Sequence, residues 1–380
     1  MKPRLRILMP SIYFPPRVGG IESHVYYLAR ELVRRGHHVE IVTTRTEKAS
    51  ARAEVTDGIT IDRIHSFGKH PAGWILSSLL AIPKVVGLAK RSDVIHCHTF
   101  AFALSGSVAN LLAGRPLVVT VHESHFLRFA KRWYMRPFLR LPLVRAGVLL
   151  STSKEIDGVT RELLPGARTL PIVNGIDTEK FKPVPPALKK APGEMLIVCP
   201  RRLVEKNGVE FLVRAVPLLR DRVRVKVHIA GDGPLRSHIQ ALARDLGVAD
   251  QIVFMGSVEN ALMPAIFSSA DLVVIPSLIE ATSIAALEAM ACERVIAASR
   301  VGGLPEIIDE SVGILFESGS PEAIADAIAG FAKRSDAAEM GRAARRRVET
   351  NWSISKMTDI HEQIYLELAG PARAKRGADA

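Results

Sequence analysis

Cysteine is scarce in this chain: Cys97, Cys199 and Cys292 are the only three among 380 residues. They lie far apart and form no CxxC, which excludes a disulfide framework and points to a reducing compartment. A GxGxxG run is also missing, so nothing carries the usual dinucleotide fingerprint. No short-period repeat is present. No apolar run is long and uninterrupted: AGWILSSLLAIPKVVGLA (72–89) comes nearest to a membrane span, but Pro83 and Lys84 stand in its middle. A spanning helix tolerates these poorly, so the stretch reads as a soluble or surface-lying helix. The basic start MKPRLRILMPSIYF has a short apolar run leading to Pro15 and Pro16, and reads as a first buried strand and not a signal peptide.

What is present suits a globular protein of two domains. Hydrophobic residues make up 48% and charged residues 24% of the chain, ordinary values for a protein that buries a sizeable core. Its length fits two domains of about 150–190 residues better than one core. Charge is uneven. Residues 1–190 hold 29 Lys and Arg against 14 Asp and Glu, net +15, whereas the remainder holds 22 against 25, net −3. The basic half is expected to face something anionic.

Short apolar, β-branched runs alternate with helical patterns. Runs at 6–10, 38–44, 93–98, 116–122 and 146–152 predict strands, and Ile21, Val25, Leu28, Ala29 and Leu32 share one face of a helix at 21–35. The theme repeats at 194–200, 224–231, 251–256, 270–277 and 294–299. Such alternation predicts an α/β protein with two Rossmann-like domains, their parallel sheets facing a central cleft. KPVPPALKKAPGE (182–194), with four prolines in thirteen residues, reads as a stiff exposed linker, and GPARAKRGADA (370–380) as a flexible tail. Ligands of open α/β sheets bind beyond the carboxyl ends of the strands, so the loops following strands carry the candidate chemistry.

Five constellations stand there. In PSLIEATSIAALEAMA (276–291), Glu280 lies in a strand-to-helix loop, Thr282 and Ser283 are suitable N-caps, and the helix beginning near Ile284 offers free amides to an anion such as a diphosphate. Glu280 is positioned to bond a polyol beside that anion, and Glu288, two turns on, to grip a ribose diol; the plainer alternative is a capped helix with a solvated Glu288. In CPRRLVEKNG (199–208), Arg201, Arg202 and Lys206 cluster cations that suit a phosphate, or form a merely solvated basic loop. Gly19 and Gly20 follow the first strand, and Gly231 closes another; glycines there let backbone approach a ligand or simply make a turn. His96, His98, His122 and His125 lie at strand ends. HxH and HxxH spacings can ligate zinc, but no carboxylate or cysteine completes a set, so no metal is expected, and His122 reads as a phosphate or polar substrate contact, with a hydrogen-bonded structural histidine as the plainer alternative. Finally, FLRFAKRWYMRPFLRLPLVRAG (126–147) contains Arg128, Lys131, Arg132, Arg136, Arg140 and Arg145 among aromatics, with no acid. This suits an interfacial helix on anionic lipid, or an ordinary basic surface; no nucleic-acid module surrounds it.

Taken in order, GGIESHVYYLARELVRRGHHVEIVTT, DVIHCH, TVHE, VNGID, RRLVEKNG, IAGDGPL, PSLIEATSIAALEAMA and VGGLPEII resemble glycosyltransferase family 4 (group 1), whose members are retaining enzymes of GT-B fold. The resemblance covers nearly the whole chain. It implies domains at 1–182 (acceptor) and 195–352 (donor), a linker at 183–194, and a helix at 353–369 crossing back to the first domain. It implies a hexose moved from a UDP- or GDP-sugar to a hydroxyl acceptor, with Glu280 on the donor sugar, Glu288 on the ribose, and Arg201 or Arg202 with Lys206 on the diphosphate. Gly19 and Gly20 would approach the diphosphate, His122 the transferred sugar, and Thr282, Ser283 and Ile284 would supply amides. No metal and no cofactor beyond the donor is implied. A lipid-linked or cell-envelope acceptor at the inner face of the cytoplasmic membrane is expected. A sugar-nucleotide epimerase and a non-catalytic nucleotide-sugar binder are the alternatives. Two departures from the family pattern are the Ala281–Ile284 run after Glu280 and Asn207 before Gly208.

Overall fold

A computed structural model of the chain describes residues 3–378 apart from 18, 47–50, 69, 123, 174 and 281–282. The chain forms two compact units, the first from Met1–Gly175 with Ile354–Ala380, the second from Ile176–Ser353.

In the first unit the strands are β1 (Arg6–Pro10), β2 (His38–Arg45), β3 (Ala53–Thr56), β4 (Ile59–His65), β5 (Val94–His98), β6 (Leu117–Val121), β7 (Val148–Ser151) and β8 (Thr169–Pro171). They make one sheet in the order β3-β4-β2-β1-β5-β6-β7-β8. All neighbours are parallel except β3 and β4, which are joined through Asp57 and Gly58, both at positive φ (50° and 76°). That is the Asp-Gly hairpin turn whose twist matches the flanking strands. Central strands such as LVVTV are buried at every position, as expected of a sheet covered on both faces. The helix Gly20–Arg34 buries Val25, Leu28, Ala29 and Leu32 against it.

The second unit holds β9 (Met195–Cys199), β10 (Val225–Ala230), β11 (Ile252–Gly256), β12 (Leu272–Ile275), β13 (Val295–Ser299) and β14 (Gly313–Phe316). These six strands are parallel, in the order β11-β10-β9-β12-β13-β14. Strand order reverses beside β1 in one unit and beside β9 in the other. Each sheet therefore has a switch point where loops diverge and leave a crevice.

Two sequence expectations need amendment. The stretch 183–194 is no free linker: the Val184 amide donates to Ser268 Oγ (3.1 Å), the Ala187 amide to Ala265 O (3.2 Å), and Lys190 Nζ pairs with Asp271 (2.7 Å). Serine hydroxyls and a backbone carbonyl accept from the few amides the proline-rich stretch retains, and an acid holds its lysine, tying it to the second unit. The boundaries between units fall at Gly175/Ile176 and Ser353/Ile354. Second, 126–147 is not one helix but a helix Ser124–Ala130, a 3₁₀ turn Trp133–Met135 and a short helix Arg136–Arg140. Pro137 stands in the first turn of the last of these and Pro142 follows it, and a proline lacks the amide that would continue helical hydrogen bonding. Residues 72–89 form one helix as expected, Pro71–Ala89, the one described helix with the length (19 residues) and mean hydropathy (1.6) to cross a membrane. It buries Ser77, Ser78, Ala81, Val85 and Leu88, while Lys84 pairs with Asp62 at 2.9 Å.

The chain's last helix, Ile354–Ala378, packs in the first unit. Met357, Ile364, Tyr365 and Ala369 join that unit's core, and Arg35 ties the helix down through Asp359 (2.7 Å) and Glu362 (3.0 Å).

Candidate active site

In the second unit the loops leaving β9, β10 and β12 meet at the switch point. Glycines permit the approach. A side chain at Gly208, where φ is +62°, would put Cβ 2.0 Å from Pro276 O, and one at Gly231 would put Cβ 2.0 Å from Arg201 O. No side chain fits either distance, so Gly231 has a packing role that accounts for it without a ligand. The Lys206 carbonyl accepts from the amides of Leu278 (2.8 Å) and Ile279 (3.2 Å), stitching the β9 and β12 loops together. Asn207, a departure from the family pattern, donates its side-chain amide to Arg202 O (2.8 Å) and closes the β9 loop on itself.

This framework gathers the predicted charges. Arg201 Nη2 lies 2.5 Å from Glu280 Oε2 and 3.0 Å from Ser283 Oγ. Its buried Nε has no hydrogen-bond partner among the described residues. Lys206 is half-buried beside the same carboxylate. Desolvation lowers its pKa, Glu280 opposes that, and the like charges of Arg202 and Arg201 add to it. Arg202 itself is exposed. Ser283 caps the helix Ile284–Ala291 by accepting from the Ala286 amide (3.2 Å). Thr282 and Ala281 lie outside the described residues. Cations and helix-start amides thus converge around one carboxylate, an arrangement whose chemistry suits an anion bearing hydroxyl groups.

Glu288 is not solvated: it is 6% exposed. Burial pushes its pKa up to about 7, against the lowering influence of an Asn260 hydrogen bond and of Lys180. Asn260 Nδ2 lies 3.4 Å from Glu288 Oε1, and Lys180 donates to Asn260 Oδ1. Neither partner carries a signal in the sequence. Both lie in loops, far from Glu288 along the chain, with no motif of their own.

In the first unit, Gly19 precedes the helix Gly20–Arg34 in extended conformation, φ 173°. Glu22, buried in the first turn, pairs with Arg17 Nε at 2.9 Å, and the Arg17 guanidinium lies 3.6 Å from the centre of the Tyr13 ring. Arg17 is a further cation at this loop, one that the glycine motif does not single out. His98 ends β5 and His122 follows β6, with His98 Nδ1 3.3 Å from His122 Nε2. His24 packs on both, ring centres 5.5 and 4.5 Å away. His96 bonds Tyr365 Oη (2.5 Å) and Thr120 Oγ1 (2.7 Å). His361 completes a five-histidine cluster. Burial lowers the pKa of His96 and His98 well below the usual range, to about 3 for His122 and about 4 for His361, with neighbouring imidazoles adding to the effect on the first three. His122 is therefore neutral at pH 7 and acts as a hydrogen-bonding group, not a cation. His125 is exposed and stays outside the cluster.

Two parallel α/β units with this switch-point chemistry define a GT-B protein. Sucrose-phosphate synthase from Thermosynechococcus elongatus matches the chain with a TM-score of 0.84 over 97% of this chain and 100% of that one, at 21% identity. The family description "Glycosyltransferase Family 4" matches residues 18–180, and "Glycosyl transferases group 1" matches 194–334. A GDP-mannose-dependent alpha-(1-6)-phosphatidylinositol monomannoside mannosyltransferase of Mycolicibacterium smegmatis is 30% identical over 372 residues, covering 91% of this chain and 94% of the relative. A phosphatidylinositol N-acetylglucosaminyltransferase component of Arabidopsis thaliana is 28% identical over 324 residues, covering 83% of this chain and 72% of the relative. The chain belongs to glycosyltransferase family 4, group 1, and is a glycosyltransferase. Membership sets aside the epimerase and the non-catalytic binder.

Proposed function

We propose that the enzyme moves a hexosyl group from a UDP- or GDP-sugar to a hydroxyl of a lipid-linked or cell-envelope saccharide, with retention at the anomeric carbon. The observation that carries this reading is the grouping of Arg201, Lys206 and Glu280 with the capped start of the helix Ile284–Ala291. As the bond from the anomeric carbon to the diphosphate oxygen breaks, its electron pair goes to that oxygen and the sugar gains oxocarbenium character. Arg201 and Lys206 stabilise the growing phosphate charge as preorganised donors, and Glu280 hydrogen-bonds the sugar hydroxyls. The acceptor oxygen bonds the anomeric carbon on the face being vacated, and its proton passes to the leaving phosphate. Fixed cations do the work a metal ion would do, so turnover needs no added metal. Glu288 holds the ribose. In the second unit the Ser283–Ile284 amides supply donors to the diphosphate; in the first, neutral His122 offers a polar contact to a sugar and the Gly19–Gly20 backbone offers donors to a phosphate.

A lipid-linked acceptor is supported by two relatives whose names specify phosphatidylinositol-based acceptors, and by the surface of 126–147. Trp133 is 81% exposed, Phe138 69% and Leu141 65%, flanked by exposed Arg128, Lys131, Arg132, Arg140 and Arg145. Apolar anchors among cations suit the headgroup region of an anionic bilayer, which would hold the enzyme peripherally on the inner face of the cytoplasmic membrane.

A thermal-shift panel of nucleotide sugars in chelator tests the donor. A true donor at ~100 Kd stabilises by ~2.7 kcal/mol, and this shift is expected for one UDP- or GDP-hexose and lost in Lys206→Ala. No response to any of them refutes the reading.

A further inference from the structure

We propose that the histidine cluster of the first unit is a transition-metal site in which His24, His98 and His122 bind one zinc-class divalent ion. These residues come from three elements: the helix Gly20–Arg34, the end of β5 and the turn after β6. Each offers one imidazole nitrogen, and the three nitrogens lie within 4.8 Å of one another. His98 Nδ1 and His122 Nε2 are 3.3 Å apart, close to the edge of about 3.4 Å expected between ligands of a tetrahedral ion with Zn–N near 2.0–2.1 Å. His24 needs to close by up to about 1.5 Å, within reach of a side-chain rotation.

The donor set decides the class of ion. All three are imidazoles, with no carboxylate among them, which favours zinc, copper, nickel or cobalt over magnesium and calcium. Two nitrogens facing each other at 3.3 Å can share only one proton, whereas an ion uses both lone pairs. With metal on Nδ1, the His98 proton sits on Nε2. That atom has no hydrogen-bond partner among the described residues, so the ion takes the place of the His98–His122 hydrogen bond without disturbing another bond of His98. His96 is excluded as a ligand because Tyr365 and Thr120 already engage both its nitrogens. His122, at 8% exposure, gives the site its opening to the surface, against 1% and 0% for His24 and His98. Three protein ligands leave a fourth position for water or an exogenous group, the pattern of an exchangeable ion. Zinc would then inhibit turnover by withdrawing His122 from the sugar; this consequence, though not the site, rests on the function proposed above.

The test uses chelator-treated full-length protein and Co²⁺. One Co²⁺ bound per chain is expected, with the visible d–d absorption of a four- or five-coordinate nitrogen site, displaced by Zn²⁺. A His24→Gln variant that retains the wild-type circular dichroism should bind about 100-fold more weakly or worse. Absence of saturable binding, or wild-type affinity in that variant, overturns the proposal. A readout on the unmodified protein covers a variant that fails to fold: in histidine-ring NMR, three buried imidazoles should shift together on adding one equivalent of Zn²⁺. Shifts confined to exposed His38, His65 and His70 refute the site.

Discussion

Arg201 and Glu280 form an ion pair, Nη2 to Oε2, at 2.5 Å, both side chains largely buried. The pair couples the loop after β9 to the start of the helix Ile284–Ala291 and separates the roles of two adjacent arginines. Arg201 points into the charged cluster, whereas Arg202 is exposed and its carbonyl, not its guanidinium, is fixed. Replacing Arg201 or Lys206 by alanine should lower kcat/KM by about 100-fold or more, about 2.7 kcal/mol of transition-state stabilisation. Arg202→Ala should cost less than about tenfold, since an exposed charge is screened. Steady-state kinetics on the three variants check this ordering, and near-wild-type turnover in Lys206→Ala removes that residue from the mechanism.

Glu288 carries a stability cost that depends on pH. Its pKa rises from 4.5 to about 7 in the folded chain, so the folded state binds the proton more tightly and stability falls as pH climbs through 4.5–7. The loss reaches about 3 kcal/mol above pH 7. Glu288→Gln, which copies the neutral acid, should be more stable than wild type by about that amount at pH 8 and nearly equal at pH 4. The same variant should bind nucleotide more weakly. Urea unfolding at both pH values, with donor Kd by calorimetry, tests both halves; an unchanged Kd discards the ribose role.

The histidine cluster acts in the opposite direction. His96, His98, His122 and His361 stay neutral when folded and take up protons when unfolded, near pH 6.5. Their stability is complete above pH 6.5 and is lost as pH falls toward folded values of about 4 for His361 and about 3 for His122. Together they cost about 5–6 kcal/mol on going from pH 7.5 to 5.5. Glu288 returns about 2 kcal/mol over the same interval, leaving a net loss of about 3–4 kcal/mol. Equal unfolding free energies at the two pH values would mean that the imidazoles are not buried as described.

Membrane docking is the fourth prediction. Flotation with anionic liposomes should recover the enzyme at low salt and release it as salt rises, because exposed cations are screened within a Debye length of about 8–10 Å. Trp133→Ser with Phe138→Ser should weaken recovery at every salt concentration, since apolar insertion is not screened. Binding that ignores salt, or that survives the double substitution, would dissociate the 126–147 surface from the bilayer.

Much of the architecture could be read directly from the chain. The runs at 6–10, 93–98 and 294–299 are buried parallel strands within a residue of the expected bounds. Hydrophobic continuity marks such strands because both faces are covered. Shorter or half-buried strands escaped. In β4 (ITIDRIH) buried and half-buried positions alternate, and the Asp57–Gly58 turn before it is a hairpin signal, so those residues did carry the information. β8 is three residues long, too short for any periodicity. At the sites, the pairing of Arg201 with Glu280 follows from motifs on adjacent strand ends, whereas the partners of Glu288 and the convergence of His24 on His98 depend on packing between distant segments. Periodicity reports which face of an element is buried, not what it meets there.

The order of the units along the chain governs how the enzyme can be assembled and cut. The Ile176 amide donates to Trp352 O at 2.8 Å, so the two ends of the second unit are neighbours, and that unit is an insertion within the first. On the ribosome the inserted body can close while the first sheet still lacks the helix carrying Met357, Ile364 and Tyr365. At 5–20 residues per second that wait is roughly 10–40 s. Expression of 176–353 alone is therefore feasible, whereas a fragment ending at 175 leaves an open core that invites aggregation.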